Sequence, residues 1–239
     1  MRPPRVAVGI RDLSGRDETG QAALVTLGLD RHDPDDTKPV ILDHRDIDLC
    51  AVDLPPRVYH AAKGLSPHAA RALVDHVAAT AARTAGDEFD ELLTDMRSAG
   101  HMIDAVSVAV DESGPDIVHT PLADLLDSHT RIHAAENALY REALASAAAD
   151  RGAVVFRYPS RSLAEAARTS LRLSPDQIAQ RLDAWGRLVG RPWRRHHKDA
   201  ALAAWLALTA GGIRPRRRAS DRQVERRAEA GSDSGNRGR

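Results

Sequence analysis

The chain has 239 residues, of which 42% are apolar and 3% aromatic, enough for one large domain or two small ones with a core of Leu, Val, Ile and Ala. Formal net charge is zero and the single cysteine, Cys50, excludes an intrachain disulfide and any cysteine-based zinc cluster. The charge is unevenly spread. Residues 214–239 carry nine Arg against four acids, and the remaining body is left with 25 basic residues against 30 acidic ones. A net-acidic body argues against broad coating of duplex nucleic acid by the domain alone, whereas the basic tail suits weak polyanion contact or plain solvation.

In chain order, RVAVGI (5–10) reads as a first strand, followed by a polar loop to Gly20. AALVTLGL (22–29) is the second strand, DRHDPDDT (30–37) a turn around Pro34, and PVILDHRDIDL (39–49) a third strand. Three successive strands with polar connections predict an antiparallel meander. Cys50, at the end of the third, reads as a small buried apolar residue. Ser66-Pro67 opens a helix running to about Ala85, and Gly86-Asp87 is expected to interrupt it before a second helical segment ending near Gly100. IDAVSVAV (103–110) is apolar enough for a central strand covered on both faces. After a polar loop and a short turn at 122–126, Ser128 caps a long helix to Arg151, with Gly152 as its stop. AVVFRY (153–158) is the last strand. Helices follow at 162–171, 175–188 and 196–210.

These elements predict an α/β fold with a mixed five-stranded sheet and helices on both faces, a domain over 1–213 with a helical insert at about 162–190, and a disordered Arg-rich tail over 214–239. No 18-residue apolar run is present, so no membrane-spanning helix is expected, and the N-terminal MRPPRVAVGI lacks the apolar stretch of a signal peptide. A cytoplasmic location follows as an expectation. The Ala/Arg/Asp/Val bias is that of a GC-rich, for example actinobacterial, genome. There is no Walker A sequence, no GxGxxG after a strand and no GxSxG elbow, so nucleotide binding and serine hydrolysis have no support.

From Ile103 the succession SVAVDE, HAAENALYREALASAAADRG, AVVFRYPSRSLAEAA and HHKDAALAAWLAL resembles the ribonuclease H-like superfamily, specifically RuvC-type Holliday-junction resolvases. The element order extends the likeness back to Arg5. The resemblance implies Mg²⁺- or Mn²⁺-dependent phosphodiester cleavage, in which converging carboxylates hold two ions about 3.5–4 Å apart. It implies Asp111 as the acid ending the fourth strand, Asp199 as the acid opening the last helix, and His196 as its helper one turn earlier. Asp12 stands nearest to the acid of the first strand. Resolvases place that Asp directly after a Gly-Ile pair, whereas this chain reads GIRDLSG. The one-residue displacement turns a side chain to the opposite sheet face unless a bulge corrects it.

The cluster Arg191, Trp193, Arg194, Arg195 and Lys198 is the most nucleic-acid-like part of the body, an indole among cations, with a solvated loop around a core-packed Trp193 as its plain alternative. His129, His133 and Glu136, at i, i+4 and i+7, share a helix face and form an alternative metal site. The expected function is therefore a RuvC-like nuclease acting on nucleic acid. The rival is a protein that keeps the fold, has lost its acids, and binds or scaffolds. A homodimer is compatible with either.

Overall fold

The computed structural model describes residues 5–13, 19–29, 39–110, 117 and 119–210. The turn at 30–37, Asp111 and the Arg-rich segment 214–239 lie outside the described residues.

Strand β1 (Arg5–Asp12) pairs antiparallel with β2 (Gln21–Leu29), which pairs antiparallel with β3 (Pro39–Asp48). On its other side β1 pairs parallel with β4 (Met102–Val110), and β4 pairs parallel with β5 (Val154–Pro159). The spatial order is β3-β2-β1-β4-β5. This is the mixed sheet expected from a meander followed by two crossovers, and it is the ribonuclease H-like topology. β3 and β5 are its edges.

Alternation along the strands divides the core. Ala7, Val25, Leu27 and Ala109 face the layer of α5 (Leu163–Leu171), α6 (Pro175–Val189) and α7 (Arg195–Ala210). Val8, Ile10, Leu24 and Val108 face α2 (Pro67–Ser98) and α4 (His129–Asp150). A third apolar cluster joins α1 (Val58–Ala62), the first half of α2, α3 (Leu122–Leu126) and the start of α4. Serine caps open three of the helices. Ser66, Ser128 and Ser174 each accept a backbone N–H three residues on, and Ser174 with Gln177 completes a reciprocal capping box.

Two elements differ from the sequence expectation. The helix expected to break at Gly86-Asp87 runs unbroken for 32 residues. One glycine costs a helix only about 1 kcal/mol relative to Ala. Here a buried Gly86 leaves room for the Arg151 guanidinium, whose Nη2 would stand 3.1 Å from an added Cβ. The short α1 has no counterpart among the elements expected from sequence. Its five residues are too few to display a period, and packing of Val58, Tyr59 and Ala62 holds it.

Gly9 sets the seat of α7. A Cβ there would collide with the carbonyl oxygen of Ala200 and stand 2.7 Å from the Ala204 nitrogen. The helix lies on β1 almost backbone to backbone, and the alanines at 200, 201, 203 and 204 permit it. That approach brings the first turn of α7 to the C-terminal end of β1.

Candidate functional site

At that end of the sheet, β1 remains in regular register with β2 through Asp12. The one irregularity between β1 and β4 lies at Val6/Ala7, far from Asp12. The alternation is therefore uncorrected. Arg11 takes the α7 side and Asp12 the α4 side. Asp12 Oδ2 accepts from Arg141 Nη2 of α4 at 2.9 Å, with both side chains about nine-tenths buried at 11% and 10% exposure. Its Oδ1 faces Arg11 Nη1 at 3.6 Å.

Arg11 lies among the groups the resemblance would assign to metal ions. Nη1 donates to Ser160 Oγ, just beyond β5, at 2.6 Å, and Nε faces Asp199 Oδ2 at 3.9 Å. Asp199 also lies 4.0 Å from Arg195, whose side chain is 95% exposed. Tyr158 closes the floor, donating from its buried hydroxyl to the Ile10 carbonyl at 2.9 Å. The structure thus brings Asp12 and Asp199 to the two sides of one guanidinium. This donor set does not fit a pair of Mg²⁺ ions, because a fixed positive charge stands between the two described acids.

Burial pushes the Asp199 carboxyl above its ordinary 3.8, and the opposing pull of Arg11, Arg195 and His196 does not cancel that effect. An acid whose pKa is raised by folding favours the folded state while protonated, so stability is lost as pH rises through the folded value. Asp199→Asn should therefore raise the melting temperature at pH 7, with the gain vanishing below about pH 3.8, the unfolded value. Thermal unfolding of both proteins across pH 3 to 8 measures it, and an equal gain at every pH would sink the idea.

His196 and His197 belong to a neighbouring group. The His197 ring is fully buried, Nδ1 accepts the Arg194 N–H at 3.0 Å, and Nε2 faces Asp46 Oδ1 of β3 at 3.0 Å. Burial lowers its pKa despite Asp46. Donor atoms of Asp46, His196 and His197 lie within 4.8 Å of one another, a spacing that can hold a metal ion. Sequence reasoning passed over Asp46 and His197, since nothing in a charged edge strand marks one acid as facing α7.

Trp193 is half-buried and engaged by the fold. Its Nε1 donates to the Leu182 carbonyl at 3.1 Å, and its ring stacks on His197 at 5.9 Å beside Gly186, where a Cβ would strike the indole. Lys198 pairs with Asp183 at 2.7 Å. Arg191, Arg194 and Arg195 are exposed. Cys50 is half-buried, its Sγ 3.4 Å from the Leu54 carbonyl oxygen, and burial raises its pKa away from a reactive thiolate.

The second metal group lies on the other helical layer. His129 and His133 stand one turn apart on α4 with their Nε2 atoms 3.1 Å apart. His60 of α1 joins them, and donor atoms of all three lie within 4.8 Å of one another. Glu136, only 2% exposed, turns inward. Its Oε1 accepts from His60 Nδ1 at 2.8 Å and from the His60 backbone N–H at 3.1 Å. Arg57 lies alongside, Nη2 being 3.1 Å from His60 Nε2.

No family model and no curated protein matches the chain. Among solved structures, it is similar in fold to Thermus thermophilus RuvC, at 13% identity and a TM-score of 0.50, over 87% of this chain and 96% of that one. T. thermophilus RuvC in complex with a Holliday junction substrate aligns over the same shares at 15% identity and a TM-score of 0.49. Among the described residues, no helix is long and apolar enough to cross a membrane.

Proposed function

We propose that this chain is a RuvC-like-fold protein that binds the phosphate backbone of a nucleic acid at the C-terminal end of its sheet and does not cut it by the two-metal route. The carrying observation is the Arg11 guanidinium, 3.9 Å from Asp199 and 3.6 Å from Asp12 where metal ions would be required. A two-metal site stabilises developing charge with divalent cations held by carboxylates. Here each described acid is already paired with arginine: Asp12 with Arg141, and Asp199 with Arg11 and Arg195.

The same end of the sheet carries further exposed cations. Arg161 follows Ser160 beyond β5, and Arg191, Arg194 and Arg195 surround the start of α7. Guanidinium groups recognise phosphate oxygens with paired N–H donors, and such contacts position a backbone without reading bases. Base stacking has no part in the reading, because Trp193 is engaged within the fold.

Binding of the full chain to a labelled four-way junction, a duplex and an RNA–DNA hybrid tests this, with Mg²⁺, Mn²⁺ or chelator. Affinity should fall steeply between about 50 and 200 mM salt and be indifferent to chelator. Every substrate should remain intact. Arg195→Ala, which takes away one phosphate-neutralising cation, should make the salt slope shallower by about 0.7–0.9. Cleavage that Asp199→Ala abolishes would establish a metal-dependent nuclease instead. Absence of binding across the panel would remove nucleic acid as the ligand.

A further inference from the structure

The histidine cluster between α1 and α4 is remote from the Arg11 site. His133 lies eight residues before Arg141 on α4, about 12 Å along the axis at 1.5 Å per residue. It plays no part in the proposed binding of nucleic acid.

We infer that His60, His129 and His133 form a binding site for one borderline transition-metal ion of the Zn²⁺ class. The donors come from two elements and converge. Ring centroids lie 5.3 Å apart for His60 and His129, 4.8 Å for His60 and His133, and 4.5 Å for His129 and His133. The planes are inclined to one another by 89°, 61° and 83°, so none of the three pairs is stacked. The donor atoms of all three residues lie within 4.8 Å of one another, a spacing that one ion can bridge.

The tautomer of His60 is fixed by its neighbour. A carboxylate only accepts, so Nδ1 carries the proton donated to Glu136 Oε1 at 2.8 Å, and Nε2 carries the lone pair. Glu136 is buried, and the His60 backbone N–H holds the same oxygen. This is the carboxylate–histidine arrangement that orients a metal-ligating imidazole and raises its basicity. Glu136 is therefore the orienting group and not a ligand. Among the described residues it is also a rare kind of acid, one nearly out of water on an Ala-rich helix.

His129 and His133 Nε2 lie 3.1 Å apart, close to the roughly 3.3 Å between two nitrogens on a tetrahedral Zn²⁺ with bonds of about 2.0–2.1 Å. Both side chains are exposed and can rotate to close the remaining gap. Imidazole nitrogen selects Zn²⁺, Co²⁺, Ni²⁺ or Cu²⁺ over Mg²⁺. Three protein donors leave a fourth position for water or an exogenous ligand.

Arg57 supplies the competing cation. Its Nη2 is 3.1 Å from His60 Nε2 and 3.4 Å from His133 Nδ1, and its Nε is 3.6 Å from Glu136 Oε2. An incoming ion takes the His60 lone pair from this guanidinium, which swings aside into solvent. Loading would tie α1, a five-residue helix, to α4 by metal bonds.

Metal-free full-length protein titrated with Co²⁺ should develop visible d–d absorption of tetrahedral or five-coordinate character at one equivalent, displaced by Zn²⁺. Zn²⁺ should also raise the melting temperature. The exposed pair changed together, His129→Ala with His133→Ala, should abolish the band and the thermal shift while leaving the metal-free melting curve in place. His196→Ala, in the other histidine group, should leave both signals intact. Arg57→Ala should tighten Co²⁺ binding several-fold, an effect that a purely structural histidine cluster would not show. A missing band, or one that survives the His129/His133 double change, overturns the assignment. Loss of the band in His196→Ala alone would move the metal to the Asp46 group and overturn it equally.

Discussion

Gly9→Ala should cost about 3 kcal/mol or more of stability, near or beyond the upper end of ordinary overpacking penalties. Small-to-large changes are tolerated when the neighbour is the far end of a side chain. At Gly9 the neighbours are the Ala200 carbonyl oxygen and, at 2.7 Å, the Ala204 nitrogen, both backbone of one helix. The whole of α7 would have to lift from β1, opening gaps around Ala200, Ala203 and Ala204, all fully buried in that layer. Urea denaturation reads the cost as a lower midpoint at unchanged slope. An Ala variant within 1 kcal/mol of the parent would show that α7 does not lie as close as described. Because α7 carries Asp199 and Arg195, a folded Gly9→Ala protein should also bind nucleic acid more weakly.

The second large effect is expected at Arg141. Arg141→Met should cost about 3 kcal/mol, since it strands the Asp12 carboxylate on the covered face of the sheet. Arg11 at 3.6 Å offers Asp12 a residual partner, which puts the expectation at the lower end of the range for breaking a buried pair. Asp12→Leu in the same chain should restore most of the loss, because removing both charges leaves neither uncompensated. A double-mutant cycle from denaturation midpoints isolates the coupling. Additive losses, with no recovery in the double variant, would mean that the two side chains do not form the pair. The outcome bears on function, because a carboxylate needed by its arginine for folding is unavailable to a metal.

The order of strands and helices was legible in the sequence because periodicity and capping signals are local. Apolar runs at 22–29 and 103–110 and the serine at 128 mark elements whose bounds agree within a residue or two, and the serine at 66 marks the start of α2. The continuity of α2 through Gly86 was not legible. It depends on Arg151, 65 positions away, filling the space beside that glycine. The site divides in the same way. The displacement of Asp12 could be read from GIRD alone, since strand alternation is a local rule. What fills the vacated place could not, because Arg11, Ser160 and Asp199 meet only through the pairing of β1, β4 and β5 and the seating of α7. His129 and His133 announced themselves by their i, i+4 spacing, but His60 lies 69 residues earlier in a helix too short to signal itself. Glu136 was legible as a member of that helix face, whereas its inward turn toward His60 required the tertiary structure.

The position of β3 at the border of the sheet has a consequence for life in a crowded solution. A border strand offers a row of unpaired amides and carbonyls to any passing extended chain, and β3 is ten residues long. Its second half reads Asp43, His44, Arg45, Asp46, then Asp48, a run of charges that a second copy adding edge to edge would have to bring out of water. At the opposite border β5 is only six residues long and ends on Pro159. Neutralising Asp43 would weaken that protection, and self-association would be expected to rise.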